Sequence, residues 1–168
     1  MLKVLVPVDG SANALGAVRH AIAEYQRHYE LELHLLNVQP RLSRHIARFV
    51  SRHNRDSWHH DLALTALAGA RAVLEQGSVP YLTHWAVCER VAEICGAAQR
   101  LGVHHIVMGT ARQNSVTRML EASVTSQVLE ATPVPVEIVV GTAVSKWERW
   151  GLPAGVLGVG GLLVLAID

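Results

Sequence analysis

The chain has 168 residues, half of them apolar, and 15 lysines and arginines stand against 14 aspartates and glutamates for a formal net charge of +1. That length suits one domain with its own buried core. The near-neutral balance argues against a nucleic-acid binder, which usually carries a strong basic excess, and the overall composition reads as soluble and globular.

Leu2 to Val8 (LKVLVPV) is a buried strand, and Asp9 cuts the apolar run too early for a secretory signal. Ser11 then offers a helix cap, with Leu15, Val18, Ile22 and Tyr25 recurring at helical spacing. Leu31 to Val38 is a second strand. Arg41 to His60 holds five arginines and four histidines against one acid, Asp56. Ile46, Phe49 and Val50 sit at helical spacing there, which would suit a basic amphipathic helix facing anionic lipid or an acidic partner. A solvated, partly mobile connection is the simpler expectation. Asp61 to Gln76 is an Ala/Leu helix stopped by Gly77. Tyr81 to Val87 is a third strand, and Val87, Val91, Ile94, Ala98 and Leu101 form a helical stripe ending at Gly102. His104 to Gly109 is a fourth strand, Ser123 to Ala131 the last core helix, and Val136 to Val140 a fifth strand.

Strands alternating with helices imply an α/β fold, a five-stranded parallel sheet with helices on both faces. Right-handed crossovers make the doubly wound order 3-2-1-4-5 the economical topology. The chain then reverses direction between the first and fourth strands, and a ligand would lie beyond their carboxyl ends, beside Asp9, Gly10 and Gly109. Pro7 has no N–H to give a central strand, so it fits only at the end of the pairing.

Chemistry-bearing residues are sparse. Cys88 and Cys95, seven apart on one expected helix, would be about 10 Å apart along its axis, too far for a disulfide. The adjacent pairs His59-His60 and His104-His105 point to different faces, and no His-x3-His or Cys-x2-Cys supports them, so no metal site is expected. His104 and His105 should flank or begin the fourth strand, one of them half-buried. There is no G-x-S-x-G elbow and no Walker lysine, and the aspartate ending the first strand lacks a partner base. No catalytic residue is expected, and ATP hydrolysis would first require a bound nucleotide.

VLVPVDGS, LHLLNV, IVMGT followed by SVTSQVL, and TPVPVEIVV come in an order and spacing that resemble the universal stress protein family, over roughly Leu2 to Val140. The resemblance implies the 3-2-1-4-5 sheet and a homodimer through the last strand, Val136, Glu137, Ile138, Val139 and Val140. In some members it also implies ATP at the switch point. Those members carry G-x2-G-x9-G followed by Ser or Thr. Here the first glycine corresponds to Gly109 and the hydroxyl residue to Ser123, while Arg112 and Ala122 stand at the second and third glycines. Asp9 corresponds to the aspartate that reaches toward adenine, and Val38 to a strand-two contact.

A loop that wraps a phosphate turns successive N–H groups inward, through torsions only glycine visits cheaply. An alanine at positive φ costs about 1 kcal/mol, and its methyl stands where phosphate oxygens approach. Arg112 either supplies a cation to the phosphate or fills the pocket itself. Ser123 at a helix start also serves as a cap. The expectation is a non-catalytic, dimeric, cytoplasmic stress-response module with a degraded nucleotide loop and no bound cofactor, acting through an unidentified protein partner or a membrane surface. The alternative is an ATP-binding sensor using Asp9 and the segment from Gly109 to Ser123.

Residues 1–141 account for the family-like domain and 142–168 for an apolar tail. Gly151 to Ile167 is a seventeen-residue run without a charge, flanked by Lys146, Trp147, Arg149 and Trp150. As a helix it would be about 26 Å long, near the lower limit for a bilayer core of about 30 Å. Tryptophans and basic residues at one end suit an anchor at the inner face of a membrane. Spanning, lying on the membrane and packing on the dimer all remain open readings of the tail. If lost backbone access is what weakens the loop, Arg112→Gly with Ala122→Gly should tighten ATP binding about tenfold or more in calorimetry. An unchanged affinity places the obstacle elsewhere.

Overall fold

The computed structural model describes residues 1–28, 30–110 and 124–140. Its elements are β1 (Leu2–Pro7), α1 (Ala12–His28), β2 (Leu31–Gln39), the single turn α2 (Arg44–Ala47), α3 (Arg52–Gln76), β3 (Tyr81–Val87), α4 (Arg90–Leu101), β4 (His105–Thr110), α5 (Val124–Ala131) and β5 (Val136–Val140). All four ladders are parallel and the order is β3-β2-β1-β4-β5, the doubly wound topology that the strand–helix alternation implies.

Alternation along the strands sorts the core into two layers. Val4 and Val6 of β1, Leu33 and Leu35 of β2 and Val107 of β4 pack with Ala17, Val18 and Ala21 of α1 and Leu67, Ala70 and Leu74 of α3. Leu5, Leu36 and Ile106, pointing the other way, meet Ile94, Ala97 and Ala98 of α4 and Val128 of α5. A strand buried on both faces has no polar alternation to show, which is why β1 and β2 read as nearly unbroken apolar runs. Leu5, Leu33, Leu35 and Ile106 are wholly buried, and truncating one such side chain to alanine typically costs about 2–5 kcal/mol.

The helix ends follow the local chemistry. The Ser11 hydroxyl accepts from the Ala14 N–H at 3.2 Å and opens α1. Gly102, at φ +61, closes α4 in the left-handed conformation that glycine takes without strain.

Two stretches depart from the sequence expectation. The segment from Arg41 to His60 is exposed along most of its length, as a solvated connection would be, but it is helical, and it is not one amphipathic helix. Ser43 and Ser51 each cap a helix, splitting the segment into α2 and a first part of α3 that begins nine residues before Asp61. Phe49, between the two, is 87% exposed, so no apolar stripe is buried there to hold a single helix. The expected stripe from Val87 also starts later, because Val87 ends β3 and the carboxylate of Glu89 caps α4. Cys88 therefore precedes the helix that carries Cys95, and both thiols are free.

The α4 face of the sheet carries a polar pair, one ring buried and the other half-buried. His34 of β2 is 2% exposed, and its Nδ1 lies 3.0 Å from Nε2 of His84 on β3. Its other nitrogen is 2.9 Å from a Glu32 oxygen, at an angle too poor for a hydrogen bond. One proton between the two rings satisfies both, with one nitrogen donating and the other accepting. Burial first, then the neighbouring His34 and Arg100, pushes the His84 pKa below the ordinary histidine value. Burial also lowers His105, against the opposing pull of Glu137. A histidine with a depressed folded pKa binds fewer protons folded than unfolded, so its contribution is intact above the ordinary value of about 6.5 and is lost as pH falls from there through the lower folded value. Urea midpoints should therefore drop between pH 7.5 and pH 5.5, and His84→Gln should shrink the drop.

Candidate functional site

The sheet opens at its centre. β1 pairs with β4 at only two positions, Val4 with His105 and Leu5 with Ile106. The Val8 N–H donates to the Leu36 carbonyl on the β2 side, so alternation turns the missing donor of Pro7 toward β4. The proline lies where that ladder has already ended, which resolves its place in a central strand. A crevice of about 130 Å3 lies at the diverging ends, lined by Asp9, Val38, Met108 and Gly109 among others.

Each wall has a local cause. Asp9 Oδ1 accepts from the Ser11 N–H at 2.9 Å, and Gly10 at φ +85 completes a turn that a side chain would strain. The second Asp9 oxygen has no partner among the described residues. Val38 is 9% exposed and belongs both to the crevice and to the α4-side core. Beside it, buried Asn37 donates through Nδ2 to the Val8 carbonyl at 2.7 Å and accepts from Gln39 Nε2 at 2.6 Å. This ties the residue after β1 to β2, on the side away from the opening.

Gly109 is fixed by packing. A Cβ built on it would overlap the Asn13 carbonyl and crowd the Ala14 nitrogen, so the first turn of α1 lies against bare backbone. The start of α5 contributes Val124 and Thr125, the latter buried, and Arg90 from the first turn of α4 lies at the same crevice.

The structure thus brings Asp9, Val38 and Gly109 together. Arg112, Ala122 and Ser123 lie outside the described residues, as does the run from Gly151 to Ile167. Val136, Glu137, Ile138, Val139 and Val140 form β5 at the opposite end of the order from β3. Ile138 and Val140 are exposed there, while Glu137 approaches His20 at 2.7 Å and His105 at 3.9 Å.

Sequence reasoning passed over Asn37 and Arg90. Asn37 had a signal, a lone amide within LHLLNV. Arg90 had none, because only the fold carries the first turn of α4 to the crevice.

Other chemistry is dispersed. His59 lies edge-on to Trp58 at 4.8 Å, and His60 edge-on to Trp85 at 5.6 Å. Among the described residues no group of three His, Cys, Asp or Glu is arranged to hold a metal, and no helix is long and apolar enough to cross a membrane. Burial foremost raises the pKa of both thiols, with Glu93 adding to the effect at Cys88 and Glu89 at Cys95, which disfavours reactive thiolates.

Residues 1–140 match the family model described as the universal stress protein family. The chain belongs to that family. The curated proteins give no match. Among solved structures, it is similar to a universal stress protein family protein from Arabidopsis thaliana with AMP bound, at 16% identity and TM-score 0.63, covering 85% of this chain and 94% of that one. A universal stress protein from Archaeoglobus fulgidus in complex with dAMP is 18% identical at TM-score 0.60, covering 83% of this chain and 98% of that one. A family member from Burkholderia pseudomallei is 19% identical at TM-score 0.60, covering 82% and 94%. At these identities the likeness speaks for the universal stress protein fold.

In this universal stress protein, Gly109→Ala should push the first turn of α1 off β4. The expected loss is about 1–3 kcal/mol, the usual range for overpacking, read from urea unfolding. A neutral substitution would show that the approach relaxes freely.

Proposed function

We propose that this universal stress protein is a non-catalytic, homodimeric stress-response module whose crevice receives an adenine nucleotide as a regulatory ligand. The observation that carries the reading is that Asp9, with one oxygen open, and the apolar Val38 converge on one crevice at the switch point of the sheet. Adenine has apolar faces and a polar edge. Val38, Ile94 and Met108 offer the apolar surface, and the open Asp9 oxygen is an acceptor for an exocyclic amine. The relatives that hold AMP and dAMP on the same fold support this reading. The polar groups lining the crevice are Asp9, Ser11, Arg90 and Thr125. One Asp9 oxygen is already engaged by its own turn. Such a set suits holding a ligand rather than moving its protons, and signalling then passes to a protein partner or a membrane surface.

Dimer formation through β5 rests on its position and its surface. β5 ends the sheet, and its exposed Ile138 and Val140 mark an edge of the kind that proteins cover or pair.

Native mass spectrometry of the purified protein with added AMP should show a one-to-one complex. Calorimetry should find AMP bound at tens to hundreds of micromolar, about −5 to −7 kcal/mol, with Asp9→Ala weakening it roughly tenfold. No binding of AMP, ATP or adenosine at millimolar concentration would sink the ligand reading. Light scattering of a version stopped after Thr142 should report a dimer at micromolar concentration, and a monomer would remove β5 as the interface.

A further inference from the structure

A second hollow, of about 690 Å3, adjoins the crevice, lined by Pro40, Arg41, Cys88 and Glu89 together with residues of α4 and α5. Arg90 and Val124 line both spaces, so the two are immediate neighbours. The crevice alone falls below the roughly 300–1,000 Å3 of a small-molecule site, whereas the two spaces together lie within that range.

The charges around the hollow are answered unequally. Glu89 gives its two oxygens to the N–H groups of Val91 and Ala92, at 3.0 and 2.7 Å, and these bonds hold its pKa below the ordinary carboxylate value. Glu93 is shared between the Arg100 guanidinium and the Cys88 thiol. Neither Arg41 nor Arg90 has a carboxylate partner among the described residues. Two guanidiniums without an ion-pair partner among the described residues therefore stand beside the crevice, in a hollow that Glu89 and Glu93 also line. Guanidinium is weakly hydrated for a cation and presents a rigid fork of donors matched to phosphate oxygens.

We propose that this hollow is an anion-binding extension of the crevice, in which Arg41 and Arg90 hold the polyphosphate chain of an adenine nucleotide. The proposal rests on the adenine reading of the crevice for the rest of the ligand. The side chains supply cations on the α4 side, independently of the loop in which Arg112 and Ala122 replace glycines. Phosphate recognition would then depend on two arginines from the segments that follow β2 and β3, rather than on backbone donors alone.

Calorimetry with adenosine, ATP and inorganic pyrophosphate tests this, comparing the full chain with an Arg41→Ala, Arg90→Ala double variant. ATP should bind the parent at least tenfold tighter than adenosine, and the double variant should lose at least tenfold of that ratio. Pyrophosphate should bind the parent, compete with ATP, and bind the variant at least tenfold more weakly. An ATP-to-adenosine ratio that survives the double substitution overturns the proposal, as does a parent that does not bind pyrophosphate. Pyrophosphate bound through the two arginines while adenosine is not bound would uphold the anion site and refute the adenine reading.

Discussion

The first turn of α1 lies against the bare backbone of Gly109, in the space left where β1 and β4 stop pairing. That contact governs the carboxyl end of the sheet. A side chain at position 109 would meet the Asn13 carbonyl, so the helix would have to move away. With glycine there, the turn Asp9–Gly10–Ser11 can fold back tightly, its carboxylate bonded to the Ser11 N–H and Gly10 at φ +85. On the other side, Asn37 ties the Val8 carbonyl to β2. The opening is thus bounded by one firm hydrogen-bonded wall and one closely packed one, and the residues that line it inherit their positions from both.

This arrangement gives Gly109 two separate reasons to be glycine. Nucleotide-binding members use a glycine at the matching position in a phosphate loop, which makes its presence here look like a trace of ligand chemistry. The packing against Asn13 would require it with or without a ligand. Gly109 therefore weighs little in deciding whether nucleotide binds. Asp9 and the chemistry of the adjoining hollow weigh more, because among the described residues one Asp9 oxygen has no partner and the arginines there have no carboxylate at ion-pair distance.

Most of the fold was legible because the signals were local. Apolar runs marked β1 and β2, Gly102 marked the end of α4, and the strand–helix alternation dictated the sheet order. The stretch before Asp61 misled because its composition is polar and basic, while its helices are set by two serine caps and by burial of His59 rather than by an apolar stripe. At the site, Asp9, Val38 and Gly109 were legible from motif position. Arg90 was not, since nothing local distinguishes an arginine at a helix start that faces a crevice from one that faces water. The His34–His84 pair joins residues 50 apart and leaves no spacing to read.

The central place of β1 also sets an order in time. Leu2 pairs with Leu31, a separation of 29 positions, after one intervening helix. On its other side Lys3 donates to the His104 ring, 101 positions away. Loop-closure entropy makes the second junction dearer by about 1.1 kcal/mol from the ratio of those lengths alone. The β1–α1–β2 unit can condense early, while the β4 side waits for most of the chain to be gathered. The crevice straddles that late seam, so it is completed only as the two halves of the sheet close on each other.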